Sequence, residues 1–282
     1  MLTLFAVPKA FEGESDAIQR RAIESWRALG DVQILLIGDD HGVAEAAAEL
    51  GVEHISGVCV NEYGTPLLDS AFDLAERHAR RPFLVYANAD LIFPPTVTAA
   101  VRAVSNSSNP FMLVGQCEED GVLRGAEWID YFIFPRGEIG TIPPFAVGRP
   151  GWDNWMIWRA RKLGLHLVDL TPSVRVVHQQ HGYEHVKAPA GYRWNGPEGD
   201  ANRRHIRLGQ SLSIEDATHV LVDGEILPLR HALRRRVGLR LSMNDWSIPI
   251  YRAGRRLLHP SGGSSPRRQR WREKSRSWLP TV

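Results

Sequence analysis

The sequence predicts an α/β fold, with a mostly parallel sheet flanked by helices over residues 1–228 and a basic extension over 229–282. Three observations lead there. Short apolar runs alternate with segments of helical periodicity, and that alternation favours a parallel sheet with right-handed crossovers. Residues 83–93, Phe-Leu-Val-Tyr-Ala-Asn-Ala-Asp-Leu-Ile-Phe, are bounded by Pro82 and Pro94-Pro95 and read as a buried central strand. Charge is also divided unevenly. Residues 230–282 hold 14 Lys and Arg against 2 Asp and Glu, so the overall net charge of +2 hides a body near −10 and a tail near +12.

Taken in order, residues 2–7 form a first strand that ends at Pro8-Lys9. Ala17, Ile18, Ala22, Ile23 and Trp26 recur at helical spacing over 16–29, and Gly30 stops that helix. A strand at 32–37 runs into Gly38-Asp39-Asp40. An Ala-rich helix at 43–50 is closed by Gly51, and a third strand follows at 52–55. Thr65 is placed to cap an amphipathic helix at 67–79, with Pro66 at its first position. After the central strand come a helix at 95–104, a loop at 105–110 and a fifth strand at 111–116. That strand ends in the charged Gln116-Cys117-Glu118-Glu119-Asp120. A strand at 128–135, a helix at 153–163 and strands at 165–170 and 173–177 complete the reading, closing on His178-Gln179-Gln180-His181.

Composition narrows the class. The apolar fraction of 43% is ordinary for a folded domain, and no stretch has the uninterrupted apolar length of a membrane span. The N-terminus reads as a first strand rather than a signal peptide. Cys59 and Cys117 read as buried free thiols, which makes a reducing cytoplasm the expected compartment. An acidic body argues against nucleic acid, whose partners line a structured face with basic residues. The basic tail, with Leu, Ile and Trp interleaved, suits an anionic membrane surface, as a peripheral attachment to the inner face; a solvated tail is the plain alternative.

Several carboxylates fall where chemistry is expected. In open α/β sheets ligands bind beyond the carboxyl ends of the strands. Asn88 and Asp90 would sit there, on one side of a strand, offering oxygen donors to Mg²⁺ or Mn²⁺ bridging a diphosphate. The plainer alternative is a carboxylate that caps a turn. Asp39 and Asp40 end another strand, or help to start the following helix. Gly151-Trp152-Asp153-Asn154-Trp155 puts a carboxylate at a helix start, where its anion is favoured unless the tryptophans desolvate it. Trp152 and Trp155 would also offer a sugar a stacking surface. His178, His181 and His185 do not have the spacing of a zinc signature, which leaves His178 alone as the candidate ligand.

Asn88-Ala89-Asp90, Gly-Trp-Asp-Asn-Trp and the later His178 come in an order that resembles the GT-A glycosyltransferases, with their Asp-x-Asp signature, over roughly residues 3–200. The resemblance implies a GT-A, Rossmann-like fold and an enzyme that moves a sugar from a nucleotide-diphosphate sugar to a hydroxyl on a saccharide or lipid-linked acceptor. It also implies inversion and a divalent cation, Mn²⁺ or Mg²⁺, held by Asp90 and His178. Asp153 would be the catalytic base. Pro8, Lys9, Asp39, Gly64, Thr65, Asn88 and Asp90 would bind the nucleotide sugar, and Glu127, Asp130, Trp152 and Trp155 the acceptor. Asn88 departs from the family's first aspartate, and Asp153 stands alone where a pair of acids is common. Two alternatives stay open: a sugar-nucleotide nucleotidyltransferase, disfavoured because Ala-Val-Pro-Lys is no phosphate loop, and a non-catalytic binding or scaffold protein of the same fold.

Overall fold

The computed structural model describes residues 1–106, 109–180 and 196–230. The chain divides into Met1–Leu229 and Arg230–Val282, and beyond Arg230 the second unit lies outside the described residues. The predicted basic extension therefore lies there, as do His181 and His185.

The main sheet is built from β1 (Leu2–Ala6), β2 (Val32–Ile37), β3 (Glu53–Ile55), β4 (Phe83–Ala87), β6 (Phe111–Val114), β9 (Tyr131–Pro135), β10 (His166–Asp169), β12 (His219–Val222) and β13 (Glu225–Pro228). A small second sheet holds β5 (Leu91–Ile92), β7 (Glu118–Glu119), β8 (Val122–Leu123) and β11 (Val177–His178). The helices are α1 (Gly13–Arg27), α2 (Val43–Leu50), α3 (Leu68–His78), α4 (Thr96–Ser105), α5 (Trp152–Lys162) and α6 (Pro197–His205). The main sheet runs β13-β12-β10-β6-β9-β4-β1-β2-β3 and the small one β5-β11-β7-β8. The α/β fold with a mostly parallel sheet is therefore observed, with β9 antiparallel to both of its neighbours and β13 antiparallel to β12.

This order creates the site. β1 pairs in parallel with β2 on one side and β4 on the other, so the chain reverses its direction of travel across the sheet between them. Such a switch point opens a crevice at the carboxyl ends of the two strands, where the following loops part. Those loops begin at Val7-Pro8-Lys9 and Asn88-Ala89-Asp90.

Burial explains why the strands stay put. Leu4, Phe5, Leu35, Leu36, Leu84 and Phe134 are essentially inaccessible, and Trp26 on α1 is fully buried. Its indole N–H donates to the Leu91 carbonyl at 2.8 Å, while Ser25 Oγ accepts from the Phe93 amide at 3.1 Å. α1 thus holds the short β5 by polar bonds as well as by packing.

Four features differ from the sequence reading. The central strand stops at Ala87: the Asn88 amide still donates to the Asp130 carbonyl, but the Leu91 amide then closes a turn onto the Asn88 carbonyl. Asn88 and Asp90 therefore belong to a turn, and strand alternation does not set which way their side chains point. Thr65 is not the cap of α3. Pro66 and Leu67 are extended, bridging to Val60 and Ala146, and the helix starts at Leu68, whose amide donates to the Phe145 carbonyl. Cys59 is exposed, and only Cys117 is buried. The β12–β13 hairpin was not anticipated, although Asp223-Gly224 signals it. Both residues have positive φ, 51° and 81°, as a two-residue turn between twisted strands requires.

Candidate active site

Asp90 and His178 meet because β5 and β11 pair antiparallel, with Leu91 opposite His178 and Ile92 opposite Val177. His178 Nε2 lies 3.6 Å from Asp90 Oδ2 in a place that leaves the ring 5% and the carboxylate 14% exposed. Gln179, next along the chain, secures the geometry. Its amide and its side chain both donate to the Asp90 carbonyl, at 3.2 and 3.1 Å, and the side chain also donates to the Ile18 carbonyl of α1.

On the other flank of His178, Nδ1 lies 3.4 Å from Glu119 Oε1 on β7. Sequence reasoning missed Glu119. The only signal was the charged end of the fifth strand, which does not say which glutamate meets the histidine. Glu118 pairs with Arg175, and Glu119 lies against His178.

Asn88 does not serve as the first aspartate of the signature. Its amide donates to Asp130 Oδ1 at 3.0 Å and its side-chain oxygen accepts from the Tyr86 hydroxyl at 3.3 Å. Asp130 is buried, and its second oxygen accepts from Arg124 at 2.9 Å. Both Asp130 oxygens are thus engaged by protein donors, and the expected acceptor contact is corrected to a structural one. Burial pushes the Asp130 carboxyl up, against the opposing pull of Arg124 and His178. An aspartate at position 88 would set one carboxylate against another. Asn88→Asp, which introduces the first aspartate of an Asp-x-Asp signature, is therefore expected to cost about 1–3 kcal/mol, the usual penalty for an unsatisfied buried polar group. Urea unfolding at pH 7 measures it, and an unchanged midpoint would show that the bond to Asp130 carries no weight.

Asp153 lies in the first turn of α5, after Gly151 in the left-handed conformation with φ 99°. Its Oδ1 accepts from the Asn154 amide at 2.9 Å. Burial pushes its carboxyl up to about 7, with nearby Asp130 adding to the effect and backbone donors, including Ile129, opposing it. Desolvation therefore outweighs the pull of the helix terminus at Asp153. Those tryptophans are not a sugar platform, however. Each is 5% exposed, Trp152 packing edge-on to Tyr86 at 5.0 Å and Trp155 against Phe145 at 5.4 Å. Trp128 is the exposed aromatic of this region, 37% accessible, with the Arg124 guanidinium 4.6 Å from its ring centroid. The Asn154 side chain donates to the carbonyl of Glu127, which is itself exposed. Burial pushes the Tyr86 hydroxyl far above its ordinary range, and the nearby Asp90, Asp130 and Asp153 add to the effect.

The remaining candidates are distributed around this centre. Pro8 is buried and Lys9 half-buried; Gln19 clamps the Lys9 backbone from both sides, accepting from its amide at 2.7 Å and donating to its carbonyl at 3.1 Å. Burial lowers the Lys9 pKa, and the Asp90 carboxylate opposes that, which puts the ammonium within electrostatic reach of Asp90. Asp39 is exposed and accepts from the Gly57 amide at 2.8 Å, so it braces the loop after β3 rather than the start of α2. The amides of Gly64 and Thr65 donate to Asn61, which removes them as free donors for a nucleotide. Asn61 in turn donates to Glu198 on α6, which also accepts from Arg149 at 2.9 and 2.5 Å. Glu198 thus tethers α6, and residues 181–195 before it lie outside the described ones.

The donor set suits a hard divalent cation with one carboxylate and one imidazole, the rest of its shell left to water and diphosphate oxygens. Among the described residues no group of three His, Cys, Asp or Glu side chains could hold a metal alone. Asp90 and His178 therefore fit a shared site, completed by the ligand, rather than a closed one. A cavity of about 310 Å³ lies elsewhere, at the amino ends of the strands, lined by Gln33, Glu53, Arg80 and Arg81. Its Arg80 and Arg81 are already paired with Glu53 and Asp31, and it holds none of the candidate residues.

No protein-family model and no curated protein matches the chain. Solved structures do. Glucosyl-3-phosphoglycerate synthase from Mycobacterium tuberculosis, in complex with Mg²⁺ and uridine diphosphate, is similar over 66% of this chain and 73% of its own, at 15% identity and a TM-score of 0.46. A mycobacterial protein is similar over 66% of this chain and 69% of its own, at 15% identity and 0.48. TarS 1–349 from S. aureus, in complex with UDP-GlcNAc, is similar over 66% of this chain at 11% identity and 0.49, this chain spanning 60% of that one.

Proposed function

We propose that the protein is a glycosyltransferase that moves a sugar from a nucleotide-diphosphate sugar to a hydroxyl acceptor, with inversion and with a divalent cation, Mn²⁺ or Mg²⁺. The observation that carries this reading is the meeting of Asp90 and His178 at the switch point of a parallel sheet, with Asp153 raised to about 7 at the neighbouring helix start. Departure of a nucleoside diphosphate builds negative charge on its phosphates and positive character on the sugar's anomeric carbon. The cation, when bound, stabilises that leaving charge. Asp90 and His178 would hold it, and Lys9, near Asp90, would add a positive charge. Asp153 accepts the proton of the acceptor hydroxyl, and a pKa near 7 makes it a stronger base than an ordinary carboxylate while leaving a useful fraction ionised. The test is a panel of nucleotide sugars assayed for slow hydrolysis with and without Mn²⁺. Cation-dependent release of the nucleoside diphosphate from one of them supports the reading. No turnover of any donor, combined with tight nucleotide binding, favours the scaffold alternative, and release of pyrophosphate from a nucleoside triphosphate favours the nucleotidyltransferase.

The placement at the cytoplasmic membrane face belongs to the same reading and rests on charge. Each Lys or Arg near an anionic surface contributes about 1 kcal/mol, so a tail with a balance near +12 needs only a fraction of its charges engaged. Lipid-linked sugar acceptors would be met at such a surface. The full chain is expected to co-sediment with anionic vesicles at low salt, and a version ending at Pro228 to stay in solution. Equal sedimentation of the two would leave the tail as a solvated extension.

A further inference from the structure

We propose that Glu119 is a positioning residue that fixes the His178 ring, with Arg124 and Asp130 locking Glu119 in place and Asn88 holding the far end. This rests on the reading of Asp90 and His178 as the cation's ligands.

The contacts form one continuous path. Asn88 donates to Asp130 Oδ1 at 3.0 Å, and Arg124 donates to Asp130 Oδ2 at 2.9 Å. The Arg124 Nε reaches Glu119 Oε2 at 3.7 Å, and Glu119 Oε1 faces His178 Nδ1 at 3.4 Å. His178 Nε2 then faces Asp90 Oδ2 at 3.6 Å, in the same turn as Asn88, which closes the path. Arg124 is itself held. Its backbone amide donates to the Cys117 carbonyl at 2.9 Å, its own carbonyl accepts from the Gln116 side chain, and its guanidinium is only 9% exposed. Backbone pairing brings the two ends together, because β11 lies between β5 and β7, pairing antiparallel with one and parallel with the other.

The chemical consequence concerns the two ring nitrogens. A carboxylate at Nδ1 favours a proton there, which leaves the Nε2 lone pair directed at the Asp90 side. A histidine ligand held by a second carboxylate is fixed in orientation, and loss of that carboxylate typically costs 10–100-fold in metal affinity. The path also accounts for the departure from the family's signature. Asn88 gives its donor to Asp130, which an aspartate could not do, and so supports the path instead of supplying a second carboxylate to the cation.

The experiment measures Mn²⁺ binding by electron paramagnetic resonance in the presence of uridine diphosphate, for the full chain and for Glu119→Ala, Glu119→Gln, Asp90→Ala and His178→Ala. Alongside it, ¹⁵N-histidine spectra without metal report the His178 tautomer. Glu119→Ala is expected to weaken Mn²⁺ about 10–100-fold and to mix the tautomers. Glu119→Gln, which keeps an oxygen acceptor for Nδ1–H, is expected to recover most of the affinity and the Nδ1–H form. If Asp90→Ala and His178→Ala lose Mn²⁺ while Glu119→Ala binds it normally with an unchanged tautomer, the role given to Glu119 is wrong and the cation site stands. If Asp90→Ala and His178→Ala bind Mn²⁺ normally, the cation reading fails. The metal-free spectra then still decide whether Glu119 sets the ring: mixed tautomers in Glu119→Ala support it, and an unchanged spectrum overturns it.

Discussion

Asp90→Ala and His178→Ala are each expected to abolish the stabilisation that a nucleoside diphosphate confers in the presence of Mn²⁺. A ligand at a hundred times its dissociation constant adds about 2.7 kcal/mol to the folded state, which reads as a clear rise in melting temperature. The wild-type chain should show that rise with Mn²⁺ or Mg²⁺ and not with chelator. Both variants should show none, while their far-UV circular dichroism stays that of the folded chain. The expectation follows from the donor set, because removing either side chain leaves a single protein ligand for the cation. A rise of wild-type size in both variants would put the diphosphate elsewhere, and Lys9 with the Gln19-clamped loop after β1 would become the first place to look.

Asp153→Asn is expected to keep donor binding and to lose transfer by roughly 10²–10⁴-fold, the usual worth of general-base catalysis. The pH dependence adds a signature. A base must be ionised, so wild-type transfer should rise with pH through about 7, and the residual activity of the variant should lack that limb. Stability should move the opposite way. The folded state holds the Asp153 proton up to about 7, whereas the unfolded chain releases it near 3.8. Between those values the folded form binds more protons, so the stability due to this group is lost as pH rises. Asparagine carries no such charge. Asp153→Asn should therefore gain more in melting temperature over wild type at pH 8 than at pH 5. Loss of transfer together with that gain excludes misfolding as the cause. Full transfer by the variant would move the base elsewhere, with Glu127 the exposed carboxylate to test next.

The strands and helices of the first half were legible because each carries its own pattern. Residues 32–37 and 43–50 have strand and helix periodicity bounded by Gly38, Gly42 and Gly51, and all three glycines adopt positive φ. The candidate carboxylates stood out for a similar reason. A carboxylate in an apolar run, such as Asp90, or beside tryptophans, such as Asp153, is costly to bury and stands out in a linear reading. The β12–β13 hairpin was also written in the sequence, in Asp223-Gly224 between apolar runs.

What the sequence by itself determined was thus the α/β alternation, and it named Asp90, Asp153 and His178 as candidates. Only the tertiary structure decided how they are used. Ala89 and Asp90 leave the sheet because the Leu91 amide closes a turn on the Asn88 carbonyl, while Asn88 stays bonded to Asp130, 42 positions away. Glu119 rather than Glu118 faces His178 because β7 pairs with β11 in one register and not the next. Trp152 and Trp155 fill the core instead of meeting a sugar because α5 lies against Tyr86, Phe132 and Phe145. Hydrogen bonds and packing between distant segments set these outcomes. Their partners are chosen by the register of strands and the seating of helices, which a local pattern of apolar and polar residues does not encode.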